Sequence, residues 1–274
     1  MTITDIRNRI PLAVVIGGLL LLLIVSLYLF GRNDQGNSAA PGDGQSQIAS
    51  TQADKALRAA GMNEDDRKAT EAVVRAYILA NPEIITEAVE ILQKRQVAER
   101  LNAGGDAIRK AFYGAETGNP DGDVTIVEFT DYNCGYCRSS VADVQRLLSN
   151  DKGIRLVYRE LPILSASSRE AALWALAAAK QGKHSAFHSA MFIGGRPDAS
   201  TIRAAALRAG LDVAAAEKFS RSNEAIAEVE ANLAMMQQIG FNGTPTFIIG
   251  DQILEGALGF DALKTAVARA RNQR

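Results

Sequence analysis

The spacing of apolar and polar positions divides the chain into distinct stretches. Pro11 to Phe30 runs for twenty residues without a charge, and a helix of that length matches a hydrocarbon core of about 30 Å. The run is longer than the apolar core of a cleaved signal peptide, usually about 7 to 15 residues. The pattern therefore predicts an uncleaved membrane anchor at 11–30, with residues 1–10 cytoplasmic. Ser38-Ala39-Ala40 offers a small-residue cleavage site, but it lies well past the apolar run and Pro41 follows it. Arg7 and Arg9 before the span, against Arg32 after it, direct the rest of the chain out of the cytoplasm. Residues 31–52 are rich in Gly, Ser, Asn, Gln and Asp with no apolar period, which predicts a flexible tether with a reach of roughly 25 Å.

Residues 53–110 carry a helical pattern that restarts at Asn81-Pro82-Glu83, where Asn suits an N-cap, Pro the first helical position and Glu the helix dipole. Ile84, Ile85, Ala88, Val89 and Leu92 then recur at helical spacing. This stripe has two readings, packing on its own domain or contact between copies in a homo-oligomer. From Asp123 strands and helices alternate: β-rich 124–130, a helix carrying Val141, Val144, Leu147 and Leu148 on one face, and a second strand at 154–160. Ala-rich helices fill about 166–240 and break near Gly194-Gly195 and Gly210. Strand character returns at 246–250 and 252–255, and an amphipathic helix follows from Phe260.

Charge adds one exclusion. The 274 residues hold 30 basic and 31 acidic side chains, a net charge of −1, so nothing draws the chain to a phosphate backbone and nucleic acid is not expected as a partner. Two cysteines rule out a multi-disulfide scaffold.

Both cysteines lie in Cys134-Gly135-Tyr136-Cys137, after a strand and at the start of a helix. A thiol at a helix N-terminus has its thiolate stabilised by unpaired backbone N–H groups and the dipole. Cys134 is then the exposed, attacking thiol, and Cys137, one turn further in, resolves the mixed disulfide. A structural disulfide closing so short a loop removes little chain entropy. The competing reading is copper or zinc binding by the two thiolates, with His184 and His188, the only histidines, at the i, i+4 spacing of a ligand pair. Against it, 46 residues separate Cys137 from His184, far more than in a zinc finger. The histidines are then a helix face near the site or ordinary surface residues. Glu128 interrupts an apolar strand covered on both faces, where a carboxyl has its pKa raised and can exchange a proton with Cys137.

FTDYNCGYC, with Gly243-Thr244-Pro245-Thr246-Phe247 before a late strand, resembles the DsbA-like branch of the thioredoxin superfamily, and ILANPEIITEAVEILQKRQ is similar to proteins of the ScsC type. The resemblance spans roughly Asp66 to the C-terminus. It implies an α/β thioredoxin fold with an inserted helical domain over 111–274, preceded by the anchor and the extra helices. It also implies Cys134 as nucleophile, Cys137 as resolving thiol, Pro245 as a cis-proline facing them, and Glu128 as the buried acid. Substrate peptide would meet Gly135, Tyr136, Thr244 and Pro245, pairing with the backbone at Thr244 as an added strand does. The family's strongest oxidants carry Pro-His between the cysteines. Gly-Tyr, with Thr before the proline, resembles the isomerases instead. The expected function is formation or isomerisation of disulfides in exported proteins by a single-pass protein of a bacterial inner membrane, with the catalytic domain in the periplasm. A membrane redox partner would reset the dithiol, and no cofactor or metal is required.

Overall fold

The computed structural model describes residue 51 and residues 54–273. The anchor at 11–30 and all of the tether except Thr51 lie outside these residues. No helix among the described residues is long and apolar enough to cross a membrane.

The chain forms two compact units, dividing after Pro82. In the first, residues 54–59 are helical and precede helix α1 (Glu64–Ala80). Asn63 starts α1 with a capping box. Its Oδ1 accepts from Asp65 N and Asp66 N, while Asp66 Oδ2 accepts from Asn63 N at 2.9 Å. Asn81 closes this helix, its Nδ2 donating to Tyr77 O at 2.9 Å. The residue expected to open the next helix therefore caps the end of the preceding one. No residue of α1 is buried within the described residues.

The second unit begins with α2 (Glu83–Arg109). Ile85, Val89 and Leu92 of the stripe are exposed, whereas Leu101 and Ile108 in its second half are buried. Gly105 breaks the helix with φ 52° and ψ −144°, a backbone conformation that glycine adopts without a Cβ clash. Beyond α2 come β1 (Glu116–Gly118), β2 (Val124–Thr130), α3 (Gly135–Asn150) and β3 (Ile154–Glu160). Five helices then lie between β3 and β4: α4 (Ala166–Lys180), α5 (His184–Gly194), α6 (Ala199–Arg208), α7 (Val213–Ser220) and α8 (Asn223–Ile239). Strands β4 (Thr246–Ile249) and β5 (Gln252–Glu255) and helix α9 (Phe260–Asn272) complete the chain.

The sheet order is β1-β3-β2-β4-β5. Strands β2 and β3 are parallel, and the other neighbours are antiparallel. The parallel pair is linked through α3, a β-α-β unit. Alternate residues of the two central strands serve different cores. Ile126, Leu156 and Phe247 pack with Val144 and Leu147 of α3 and Leu263 and Val267 of α9. Val127, Phe129 and Val157 pack with Leu101 and Ile108 of α2 and Ile239 of α8. A third core joins Cys134, Cys137 and Tyr132 to Ala175, Phe187, Met191 and Ile202 of the helical insertion. The dithiol therefore sits where sheet and insertion meet.

Candidate active site

Three elements converge on the sulfurs. Strand β2 ends at Thr130 and delivers Cys134 as the N-cap of α3, with φ −81° and ψ 120°. Its Sγ accepts from Cys137 N at 3.4 Å. Strand β4 pairs Thr246 with Phe129, which brings the residues just before it to the mouth of α3. There the Thr244–Pro245 peptide bond is cis, and Cys134 Sγ lies 3.1 Å from Thr244 O. Both cysteines are free thiols. Cys137 is wholly buried, while Tyr136 beside it is 71% exposed. A Cβ built on Gly135 or on Gly243 would meet nothing within 4 Å, whereas Cys134 itself is only 6% exposed, which corrects the expectation of an exposed attacking thiol: the Thr244–Pro245 turn and the helical insertion cover most of the sulfur.

Electrostatics separates the two thiols. The Cys134 pKa falls to about 5, chiefly through the hydrogen bond from Cys137. Burial opposes that shift, while the Thr244 side chain and the backbone N–H groups of Cys137 and Tyr136 reinforce it. The Cys137 thiol moves the other way, raised by burial and by its neighbour Cys134. One sulfur is thus held as a thiolate at neutral pH and the other as a thiol.

Asp131, also buried, fastens the loop after β3 to the site. Its Oδ1 accepts from Asn133 N at 2.8 Å, and its Oδ2 accepts from Ile163 N and Leu164 N at 3.0 Å. It lies within FTDYNCGYC, but the motif alone does not show that its side chain spans two loops.

Behind the sulfurs is a buried polar cluster. Glu128 lies mid-sheet between Tyr158 of β3 and Phe247 of β4, and burial, with Glu160 adding, pushes its pKa up to about 8. Glu160 Oε1 accepts from Tyr132 Oη at 3.1 Å and contacts His184 Nε2 at 2.8 Å. His188 Nδ1 is 3.3 Å from the same Tyr132 hydroxyl. His184 and His188 are both buried, which corrects the surface reading. They are tied to Glu160 and Tyr132. Among the described residues no group of three or more His, Cys, Asp or Glu side chains is arranged to hold a metal ion. No local motif marks Glu160, because its partners, Tyr132 and His184, lie far from it in sequence.

Glu128 yields a stability prediction. Its folded pKa, about 8, exceeds the ordinary value of 4.5, so between these values the unfolded chain releases a proton that the folded chain keeps, and stability falls as pH rises through that window. The Glu128→Gln variant should lose this slope. By chemical denaturation it should gain a few kcal/mol over the parent at pH 8, at about 1.4 kcal/mol for each tenfold difference in proton affinity between folded and unfolded chain, with little difference at pH 4.5. Parallel curves for the two proteins would contradict the assignment.

The DsbA-like thioredoxin domain matches residues 125–268, just over half of the chain. The chain belongs to that family. Residues 66–99 match the copper resistance protein ScsC N-terminal domain. A thioredoxin-like oxidoreductase from Silicibacter pomeroyi DSS-3 is 41% identical, aligning over 61% of this chain and 98% of its own, with a TM-score of 0.59. Proteus mirabilis ScsC in a transitional conformation is 26% identical over 78% of this chain and 99% of its own, with a TM-score of 0.59. Among curated relatives, Na(+)/H(+) antiporter NhaA 1 of Salinispora arenicola is 27% identical over 150 residues, which are 54% of this chain and 23% of the antiporter. The chain thus spans under a quarter of that relative's length. DsbA-like proteins and their solved members are thiol-disulfide oxidoreductases, and this chain is an enzyme of that class.

Proposed function

We propose that the chain forms or isomerises disulfides in exported proteins through Cys134 and Cys137, working in the periplasm from a single-pass anchor at 11–30 in a bacterial inner membrane. The observation that carries this reading is the contrast between the two sulfurs. Cys134, at the N-cap of α3, has a lowered pKa and accepts from Cys137 N at 3.4 Å, and Cys137 is a protonated thiol sealed beneath it.

In the isomerising direction the Cys134 thiolate attacks a client disulfide, joins one client sulfur and releases the other as a thiolate. A second client thiolate then attacks the client sulfur of this mixed disulfide, forms a new client disulfide and frees Cys134 as a thiolate; where Cys137 loses its proton and its sulfur bonds to Cys134 instead, the client leaves as a thiolate, reduced, and the chain is left oxidised. In the oxidising direction the same bonds change in reverse order. Gly135, Tyr136, Thr244 and Pro245 form the surface that an extended client segment meets, with the Thr244 backbone pairing as an added strand would. Glu128 serves as the buried acid. No cofactor enters either direction. A membrane redox partner resets the dithiol, and its identity as oxidant or reductant sets the net flow. The exposed positions Ile85, Val89 and Leu92 support a homo-oligomer, which would let several dithiols face one misfolded client.

The test is a trapping experiment. Cys137→Ser should accumulate a reducible covalent adduct with a scrambled client protein, visible by mass spectrometry, because Cys134 attacks and nothing resolves it. Failure of the adduct to form in this variant, with Cys134 still alkylatable, would refute the assignment of roles. Equilibration of the parent against glutathione then separates the directions. A potential near −120 mV, a value typical of a strong oxidant, fits net oxidation, and one at or below about −180 mV fits isomerisation.

A further inference from the structure

The end of the sheet far from the dithiol carries a cavity that thiol exchange does not use. It measures about 450 Å³, within the range of sites for small molecules. Four elements wall it: the second half of α2, the start of β2, the β4–β5 turn and the end of α9. Val124, where β2 begins, lines the cavity, and β2 ends at Thr130 near Cys134, about 20 Å further along the extended chain.

Its wall holds an acid and a base that are close together but not paired. Asp251 Oδ2 accepts from Gln273 Nε2 at 3.2 Å, whereas Oδ1 is buried and has no hydrogen-bond partner among the described residues. A buried carboxylate oxygen without a donor is costly, and a ligand that brings one removes the cost. Arg109 Nη2 donates to Gly250 O at 3.3 Å, which sets its guanidinium beside the residue preceding Asp251. That group has five N–H donors and, among the described residues, no carboxylate partner. The other charge on the wall is already met, since Asp123 accepts from Arg271 at both carboxylate oxygens, at 2.6 and 2.8 Å. Leu101, Val124 and Ala270 supply buried apolar wall, and the exposed Asn102 and Gln273 mark the mouth.

This combination selects a chemistry. The guanidinium repels a metal cation, and a simple anion leaves Asp251 Oδ1 unmet. A molecule with an ammonium and a carboxylate on one carbon, and an apolar group beside them, answers all three features. We propose that the cavity binds an aliphatic α-amino acid, its ammonium on Asp251, its carboxylate on Arg109 and its side chain against Leu101, Val124 and Ala270. Leu101 and Asn102 precede the break of α2 at Gly105 and Arg109 follows it, so the bound amino acid braces that break against the sheet. The inference is separate from the dithiol reading above.

Titration calorimetry of the full chain with L-leucine should give one saturable site with a dissociation constant below about 1 mM. N-acetyl-leucine lacks the ammonium and leucinamide lacks the carboxylate, and each should bind at least about tenfold more weakly. Asp251→Asn and Arg109→Gln should each weaken leucine by about tenfold while keeping the parent's rate of disulfide exchange, because neither residue lies near the sulfurs. Leucine should also slow hydrogen exchange of the amides around Gly105. No leucine isotherm in the parent up to about 10 mM, or equal binding of the three compounds, would overturn the proposal. So would parent-like leucine affinity in both variants, and exchange around Gly105 that leucine leaves unchanged would refute the brace. If the variants do not fold, the three compounds on the parent decide alone.

Discussion

Cys134→Ser is expected to reduce client turnover to the uncatalysed background, because a serine hydroxyl at this N-cap is not ionised at any pH the fold survives. The parent supplies the sharper measurement. A thiol with a pKa of about 5 is almost fully ionised at pH 7, against a few per cent for an ordinary cysteine near 8.5, a gain in thiolate of roughly thirtyfold. Alkylation by iodoacetamide, followed by mass against pH, should reach half its plateau near pH 5, with the label on Cys134 and not Cys137. A half-point near 8 would mean that the bonds from Cys137, Thr244 and the start of α3 do not hold the thiolate, and the mechanism would lose its nucleophile.

The largest stability effect is expected at Arg159. Its side chain is buried in β3, on the opposite face from Glu160. Nη1 donates to Glu228 Oε1 at 2.8 Å and to Asn232 Oδ1 at 3.2 Å, both on α8. Nη2 donates to Lys110 O at 2.7 Å, to Ile108 O at 3.3 Å and to Ala107 O. One guanidinium thus closes the end of α2 and ties it to α8. Burial lowers its pKa only against the counter-pull of Glu228. Arg159→Met keeps the apolar stem but leaves the Glu228 carboxylate and the terminal carbonyls of α2 without their donor. The loss should be about 3 to 5 kcal/mol, read as a lowered urea midpoint at unchanged slope. A loss under about 1 kcal/mol would show that water replaces the guanidinium at little cost.

Much of this fold is legible in the apolar pattern, and the exceptions share a cause. Strands β2 and β3 stand out because both are rich in β-branched and aromatic residues and are buried along almost their whole length, even though β2 carries Glu128 and β3 carries Arg155, Arg159 and Glu160. Strand β1, only Glu-Thr-Gly, has no such signature and exists through its pairing with β3. The insertion breaks at Gly195 and Gly210 are legible because those glycines take positive φ, 103° and 71°. Asn81 misleads because asparagine serves either end of a helix, and only its bond to Tyr77 decides between them. At the site, Cys134, Cys137, Thr244 and Pro245 lie in short local motifs, whereas Asp131, Glu160 and the two histidines act through contacts 24 to 56 residues apart in sequence. The spacing of a ligand pair places the histidines on one helix face but cannot reveal that the face turns inward.

The open space around Gly135 has a consequence for how such an enzyme changes its chemistry. Gly135 is the first residue of α3, a position where proline fits because its missing N–H has no helical partner, and a side chain there meets nothing. Tyr136 points outward. The dipeptide between the sulfurs is therefore a replaceable cassette, mechanically uncoupled from the cores beneath it. Under the proposed function its redox character can be retuned without repacking the fold, while Glu128, the N-terminus of α3 and the opposing Thr244–Pro245 turn stay in place.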